Sequence, residues 1–546
     1  MQFAEAAESQ ISPMQHPRRA LCCALLCACL LAACGAESLP TPVFKRPQLK
    51  KGARERRAAP GPLLAAARAA PGGARSKEPS GTSALRPSFR WAVLHNWLYF
   101  LALGLTIPVL PRIISTIVNE DGSTDVSPAS AVLGSDVEAL DKIITFLCVG
   151  FLGALSDVVG RKPLMAYSAL GFAATCYLQA TTQKTISVLY LADLVDGVSS
   201  CMNTVCQAYV ADASPPARRA VNIGIFQGLS VAGAFILGFP LSAVLAAKYG
   251  LRAPMYAASA VGVLNAAIAL FLTPESLPKA QRSNARPAAQ PSHRSRPLAR
   301  ASRTARPTRP LPPGRRRLDL ASANPFGALR RLFANTPLLR GSAGAFFLVW
   351  FSNACINSQF GNYVNHLFGW GPQESAPLLV LVGLMIAIAP PALVPRLGLR
   401  RSIELGALTY AAGLLAVGVS RVPRSVVVSV LLASSGCICI PSLIAFIANQ
   451  AAPAERGALL GGLETLQELC EALAYPAYGR IFGYFISDTA RVKMPGAPFL
   501  LAAGVLLAGL GVVKRTFARH PAAAEQFLEH DASDETLPPR RRVRAA

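Results

Sequence analysis

From Trp91 onward, mostly apolar stretches of membrane-spanning length recur along this chain almost without pause. A hydrocarbon core about 30 Å thick takes roughly 20 such residues per helix, because lipid cannot satisfy exposed backbone N–H and C=O groups. The pattern predicts helices over residues 91–115, 139–156, 163–180, 187–211, 220–246 and 253–273. After a gap of low-complexity sequence it predicts six more, over 341–361, 375–394, 402–420, 425–451, 457–485 and 498–517. Two bundles of six are expected, an N-terminal one over 91–273 and a C-terminal one over 341–517.

The segments outside these blocks have other patterns. Arg18 and Arg19 precede an apolar run over 20–33 and small residues ending near Ala36, so residues 1–36 have the outline of a secretory signal peptide; an uncleaved signal anchor is the alternative. Leu31, Ala32, Ala33 and Cys34 also look like a lipobox, but the basic stretch and helices that follow do not suit a lipoprotein. Residues 37–90 are basic, rich in Ala, Arg, Pro and Ser, and have transit-peptide composition. Together they resemble the two-part presequence of plastid proteins in algae with complex plastids; a disordered cytosolic tail is the competing reading. The basic Arg/Pro-rich central loop, 274–340, cannot build a core, except for an amphipathic stretch at 325–333. Residues 518–546 are expected to be a disordered tail.

Composition sharpens this picture. At 52% hydrophobic and 15% charged residues, the chain has lipid rather than water as its solvent. Its formal charge of +25 would suggest nucleic acid in a soluble protein, but residues 42–90 and 274–340 carry +23 of it. Neither segment has the aromatic interleaving, metal-finger spacing or recognition helix of a nucleic-acid binder, so no nucleic-acid partner is expected. Membrane lipid is a second use for the basic central loop. The 13 cysteines form no disulfide framework, and Cys437 with Cys439 lacks the second pair or histidine of a metal site. No metal and no cofactor are expected.

Loop charge sets orientation, since Lys and Arg collect on the cytoplasmic or equivalent face. Arg161 and Lys162, Arg218 and Arg219, the central loop, Arg400 and Arg401, and Arg456 fall in alternate connections. On the opposite side, the first connection is expected to hold Glu120, Asp121, Asp125, Asp136 and Glu138, with no Lys or Arg. Both termini then face the basic side.

Between the second and third helices stand Gly153, Asp157, Gly160, Arg161 and Lys162. The glycines permit a tight turn between packed helices, and Asp157 with Arg161 offers a charge-assisted contact that can break and re-form. This segment resembles the G-x-x-x-D-R-x-G-R-R/K signature of the major facilitator superfamily, with Val158 at a position that is basic in the signature. A faint copy without the acid, Pro395 to Arg401, lies between helices eight and nine. Ala208 to Asp212, Thr273 to Pro278, Gly457 to Phe482 with Pro476 and Gly479, and Met494 to Phe499 resemble the tetracycline-resistance-type branch, with most similarity to the hippocampus-abundant-transcript-like proteins.

The resemblance implies an all-α membrane protein of 12 transmembrane helices in two pseudo-symmetric six-helix bundles, the major facilitator fold. It implies a secondary carrier of a small-molecule solute, working by alternating access as a monomer, with helices one, four, seven and ten lining the cavity. A coupling proton is a further expectation, although two marks of proton antiporters differ here. An arginine common near Asp193 is absent, and Phe239 interrupts the glycine–proline motif of helix five between Gly238 and Pro240.

Ionisable and polar residues at membrane depth are costly, so each is a functional candidate. Helix one offers His95, Asn96 and Tyr99, which an interfacial belt explains as well as substrate contact does. Helix four carries Asp193, Asp196, Asn203 and Gln207, the last three on one stripe. Helix seven carries Asn353 and Asn357 on one face and Gln359 nearby, which suit an uncharged polar solute or interhelical hydrogen bonding. Helix eleven presents Glu464, Glu468 and Glu471 on one face. Three carboxylates there repel one another unless some are protonated, paired or wetted by a cavity. No phosphate-binding loop, zinc-protease helix or serine–histidine pair is present, so neither ATP-driven transport nor an enzyme is expected. A receptor or scaffold that uses the basic central loop is the rival reading.

Overall fold

A computed structural model describes residues 86–215, 219–277, 324–451, 456–522 and 524–525. The signal-peptide-like and most of the transit-peptide-like segment, most of the central loop, Arg218 and most of the C-terminal tail lie outside them.

Twelve long helical rods follow one another among the described residues, with no strand. They are α1 (Phe89–Val118), α2 (Pro128–Val159), α3 (Arg161–Thr181), α4 (Ile186–Ser199 with Met202–Ala213), α5 (Arg219–Ala232 through Phe239–Tyr249) and α6 (Ala253–Phe271). A short linker helix, Pro325–Ala334, occupies the amphipathic stretch. Then come α7 (Pro337–Phe368), α8 (Pro372–Leu397), α9 (Leu399–Val419), α10 (Pro423–Asn449), α11 (Arg456–Ile486) and α12 (Ala497–Arg519). Eight of the twelve are long and apolar enough to cross a membrane. The other four, α3, α4, α7 and α11, are more polar, and three of them carry the candidate site. Large apolar side chains such as Leu147, Phe151, Leu170, Val263 and Val428 stand exposed, as a lipid-facing surface requires.

Local sequence explains where the rods start and break. Ser127 and Ser130 form a capping box and Pro128 takes the first helical turn, so α2 begins at Pro128 rather than at 139. Asp136 and Glu138, expected in the connection, therefore lie inside the helix. The true connection keeps Asp121, whose carboxylate accepts the Ser123 backbone N–H at 2.9 Å and is held below the usual carboxylate range by it. Pro108 interrupts α1 between Phe89–Thr106 and Leu110–Val118. A π-turn over Gly233–Gly238 interrupts α5. There Gly238 meets the Gly104 backbone of α1, and a Cβ on either residue would stand 2.7–3.0 Å from backbone atoms.

The two halves repeat one turn. Gly160 (φ 119°) ends α2 and opens α3, and Gly398 (φ 74°) ends α8 and opens α9, both in a region that favours glycine. Arg161 and Lys162 follow the first, Arg400 and Arg401 the second, on the same face of the molecule. Pro395 stands where Asp157 does in the first copy.

The halves meet most closely where α2 runs beside α11. Near the acid-side end, Gly479 faces Ser135 and Gly483 faces Val132, with no room for a side chain at Gly479. Arg480 clasps Asp136 with two nitrogens, at 2.7 and 3.2 Å. Gln359 of α7 donates to the Ser135 hydroxyl at 3.0 Å, and Arg112 of α1 to the Gly369 carbonyl at 3.0 Å. Near the basic end the linker helix rests on α11, Leu332 against Gly462, and reaches α2 through an edge contact of Phe326 with Phe146.

Candidate functional site

Two groupings of the sequence-predicted residues emerge, one at the basic face and one at mid-depth. At the basic face, Arg161 is almost fully buried. It reaches Asp157 at 2.6 Å, Asp212 of α4 at 3.1 Å and the Ser156 hydroxyl. The backbone N–H groups of Arg161 and Lys162 donate to the two carboxylate oxygens of Glu275, at 2.9 and 3.2 Å. Glu275 thereby satisfies the open N-terminus of α3 from beyond the end of α6. Gly153 lies one turn before Asp157, where a Cβ would meet Thr204 of α4 at 3.8 Å. The signature thus ties the α2–α3 turn to the ends of α4 and α6, all within one half.

At mid-depth the grouping joins the halves. Lys142 stands near the midpoint of the 32-residue α2. Its ammonium lies 3.3 Å from Asp141, 3.6 Å from Glu468 and 3.5 Å from Glu471. Glu471 also accepts the indole N–H of Trp350 on α7 at 3.1 Å, and Asp141 accepts the Thr145 hydroxyl at 3.3 Å. One oxygen of Glu468 is buried with no hydrogen bond, held by the ammonium at ion-pair distance alone. Glu464, a turn nearer the basic side, accepts the Thr204 hydroxyl of α4 at 3.2 Å. The three glutamates of α11 are therefore divided: two share a lysine from the other half, and one takes a hydroxyl from it.

Asp196 joins this group from α4, within electrostatic reach of Asp141, Lys142 and Glu468. The adjacent Gly197 allows it: a Cβ there would stand 2.6 Å from Ile144 and 3.0 Å from the Asp141 carbonyl of α2. Asp193 is buried against α3, where Gln179 donates to it at 2.9 Å, and lies within electrostatic reach of Asp141 and Asp196. Asn96 is fully buried and donates to Asn203 at 3.1 Å and to Ser230 of α5 at 2.9 Å, while its own carbonyl oxygen has no partner among the described residues. Gln207 is half-buried on the same helix as Asn203. His95 is held between Asn265 and Thr273, at 2.6 Å from each. On α7, Asn353 accepts the Tyr410 hydroxyl at 2.9 Å inside the C-terminal half, and Asn357 is exposed.

Lys142, Asp141, Thr204 and Trp350 are additions to the site predicted from sequence. The available signal was a lysine inside an apolar block. With the helix expected to start at 139, that lysine falls at its end; with the start at Pro128 it lies deep. Among the described residues no group of His, Cys, Asp and Glu is placed to hold a metal ion.

Comparison with known proteins places this geometry. A family model described as Major Facilitator Superfamily matches residues 92–394. The human hippocampus abundant transcript-like protein 1 is 24% identical over 77% of this chain and 79% of its own length. The class C tetracycline resistance protein of Escherichia coli is 27% identical over 68% of this chain and 83% of its own. Among solved structures, the human organic anion transporter MFSD10 (TETRAN) superposes with a TM-score of 0.57 at 19% identity, covering 78% of this chain and 99% of that one. The nucleoside transporter NupG superposes at 0.52 with 14% identity, covering 79% and 98%.

Proposed function

The chain belongs to the major facilitator superfamily, and from that premise we propose that it is a proton-coupled secondary transporter that moves a small solute by alternating access. The observation that carries the reading is the bridge of Lys142 to Glu468 and Glu471 across the two halves at mid-depth. Separating the halves removes the lysine from both glutamates. An unpaired buried charge costs several kcal/mol, so each carboxylate then needs a proton, a cationic group or water. Proton binding and the opening of one face are thereby linked through the same ion pairs.

Asp196 and Glu464 extend the polar surface toward the basic side, and Asn96 with Asn203 supplies neutral amides next to it. Acid-side contacts hold the halves together in this state, so the exit favoured by the arrangement is the basic side. The carboxylates disfavour an anionic solute unless they are neutralised first.

The test uses proteoliposomes of the full chain with labelled tetracycline, a nucleoside and an organic anion, the classes named for its relatives. An imposed pH gradient should drive accumulation of at least one probe, and Glu468→Gln with Glu471→Gln should abolish the drive while leaving downhill exchange. Uptake that ignores the gradient would remove proton coupling and keep the carrier. A chain that moves none of a broad solute panel would remove both.

A further inference from the structure

Glu138 lies one helical turn from Lys142 on the acid side, and no contact described so far involves it. Among the described residues its carboxylate makes no hydrogen bond and no ion pair within 4.0 Å. It lines a small cavity of about 20 Å³ between α1, α2 and α7, together with Ser130, Ser135, Ser358 and Asn362. That volume holds about one water molecule, and the lining supplies the hydroxyl and amide partners a water needs. The cavity lies on the acid-side half, at the level of the Asp136–Arg480 and Gln359–Ser135 contacts between the halves. The titratable groups that face Glu138 are Lys142 and Asp141 of its own helix, Glu471 and Tyr475 of α11, and Asp193 of α4.

We propose that Glu138 is the proton-transfer residue through which the coupling proton passes from the acid-side face to the Lys142 cluster. The step balances without any further reagent. A protonated Glu138 gives up its O–H proton, a new O–H bond forms on Glu471, and Glu138 is left as the carboxylate. The Lys142 ammonium, four residues along the same helix face, shifts from Glu471 to Glu138, so the charge of the group is unchanged. The cavity carries the argument further than the acidic side chains alone: Glu138 lines it on the acid side of Lys142 and it has room for about one water, whereas Glu464 and Asp196 lie on the other side of that lysine.

This inference rests on the proton-coupled reading, and it is tested without knowing the solute. Currents are recorded from full-length protein in liposomes of one orientation, on a solid-supported membrane, after an acidic jump applied to either face. The wild type should respond on both faces. Glu138→Gln should slow the acid-face response by about tenfold or more, in the range of a lost proton-transfer group. Its basic-face response should stay within about twofold, and Glu138→Asp should recover most of the acid-face rate. An acid-face response unchanged in Glu138→Gln, or an equal loss on both faces, would overturn the role given to Glu138 and leave proton coupling standing. A wild type silent on both faces would overturn proton coupling and this role with it.

Discussion

Lys142 is one ammonium shared by three carboxylates at mid-depth, and its removal strands at least two buried charges. Breaking a buried ion pair from one side costs about 3–5 kcal/mol, far more than an exposed pair is worth. Lys142→Met should therefore lower the resistance of the purified protein to unfolding by about that amount, read from denaturant titration in detergent micelles. In an Asp141→Asn, Glu468→Gln, Glu471→Gln background the same substitution should cost less than about 1 kcal/mol, because none of its three partner carboxylates is left charged. Equal losses in the two backgrounds would mean that Lys142 acts by packing and not by charge. At this scale the sequence was legible where spacing speaks: Glu464, Glu468 and Glu471 all face partners on the N-terminal half. It was silent on pairing, since Lys142 and Glu471 lie more than 300 residues apart in the chain and only the packing of α2 on α11 joins them. Asp193 shares the stripe's composition but rotates against Gln179, a difference that helical spacing alone does not resolve.

Between elements, the seam of α2 and α11 depends on glycine. A Cβ on Gly479 would stand 2.2 Å from the Ser135 hydroxyl oxygen and 2.4 Å from its Cβ, so even alanine forces the two rods apart. Overpacking of this kind costs about 1–3 kcal/mol in the state where the helices touch. Gly479→Ala should lengthen the distance between spin labels at Ser123 and Ser487, both in acid-side connections, and raise the fraction of molecules open on that side. Gly504→Ala on α12, where a Cβ meets nothing within 4 Å, should leave the distance distribution unchanged. A distribution unmoved by Gly479→Ala would show that the seam tolerates a methyl group and sets no limit on opening. The long apolar blocks made the twelve rods readable, and the glycines and Pro240 of α5 allow a bend where its π-turn lies, yet the breaks within α1 and α4 were not visible in them. Hydropathy reports the cost of backbone in lipid, whereas a break is sustained by neighbouring helices, as where the α5 π-turn leans on Gly104. The start of α2 was written locally in Ser127, Pro128 and Ser130, but the acidic residues after it resemble a loop until their partners on α11 are known.

For the whole molecule, two of the polar contacts between the halves on the acid side are individually weak. Arg480 is more than half exposed, so its pair with Asp136 is worth about 1 kcal/mol or less, and the Gln359–Ser135 hydrogen bond about 1 kcal/mol. Combined Arg480→Ala and Gln359→Ala should shift the balance between acid-side-closed and acid-side-open molecules by about tenfold, measured by single-molecule energy transfer between the two halves. No shift would place the closing energy in the glycine seam alone. The arrangement of two six-helix halves was legible from the block pattern and the Gly153 to Lys162 signature. Which residues join the halves on each side was not, because those contacts pair residues remote in sequence.

The depth of Lys142 has an electrical consequence. The cluster sits near the middle of α2, so a proton that reaches it from either face crosses about half of the field across the bilayer. The full field is worth about 2.3 kcal/mol per elementary charge at 100 mV, and half of it changes occupancy by roughly sevenfold. On the proton-coupled reading proposed above, an energised membrane loads the cluster from its positive side and unloads it toward the other even at equal pH, making voltage a driving force that the same four side chains receive.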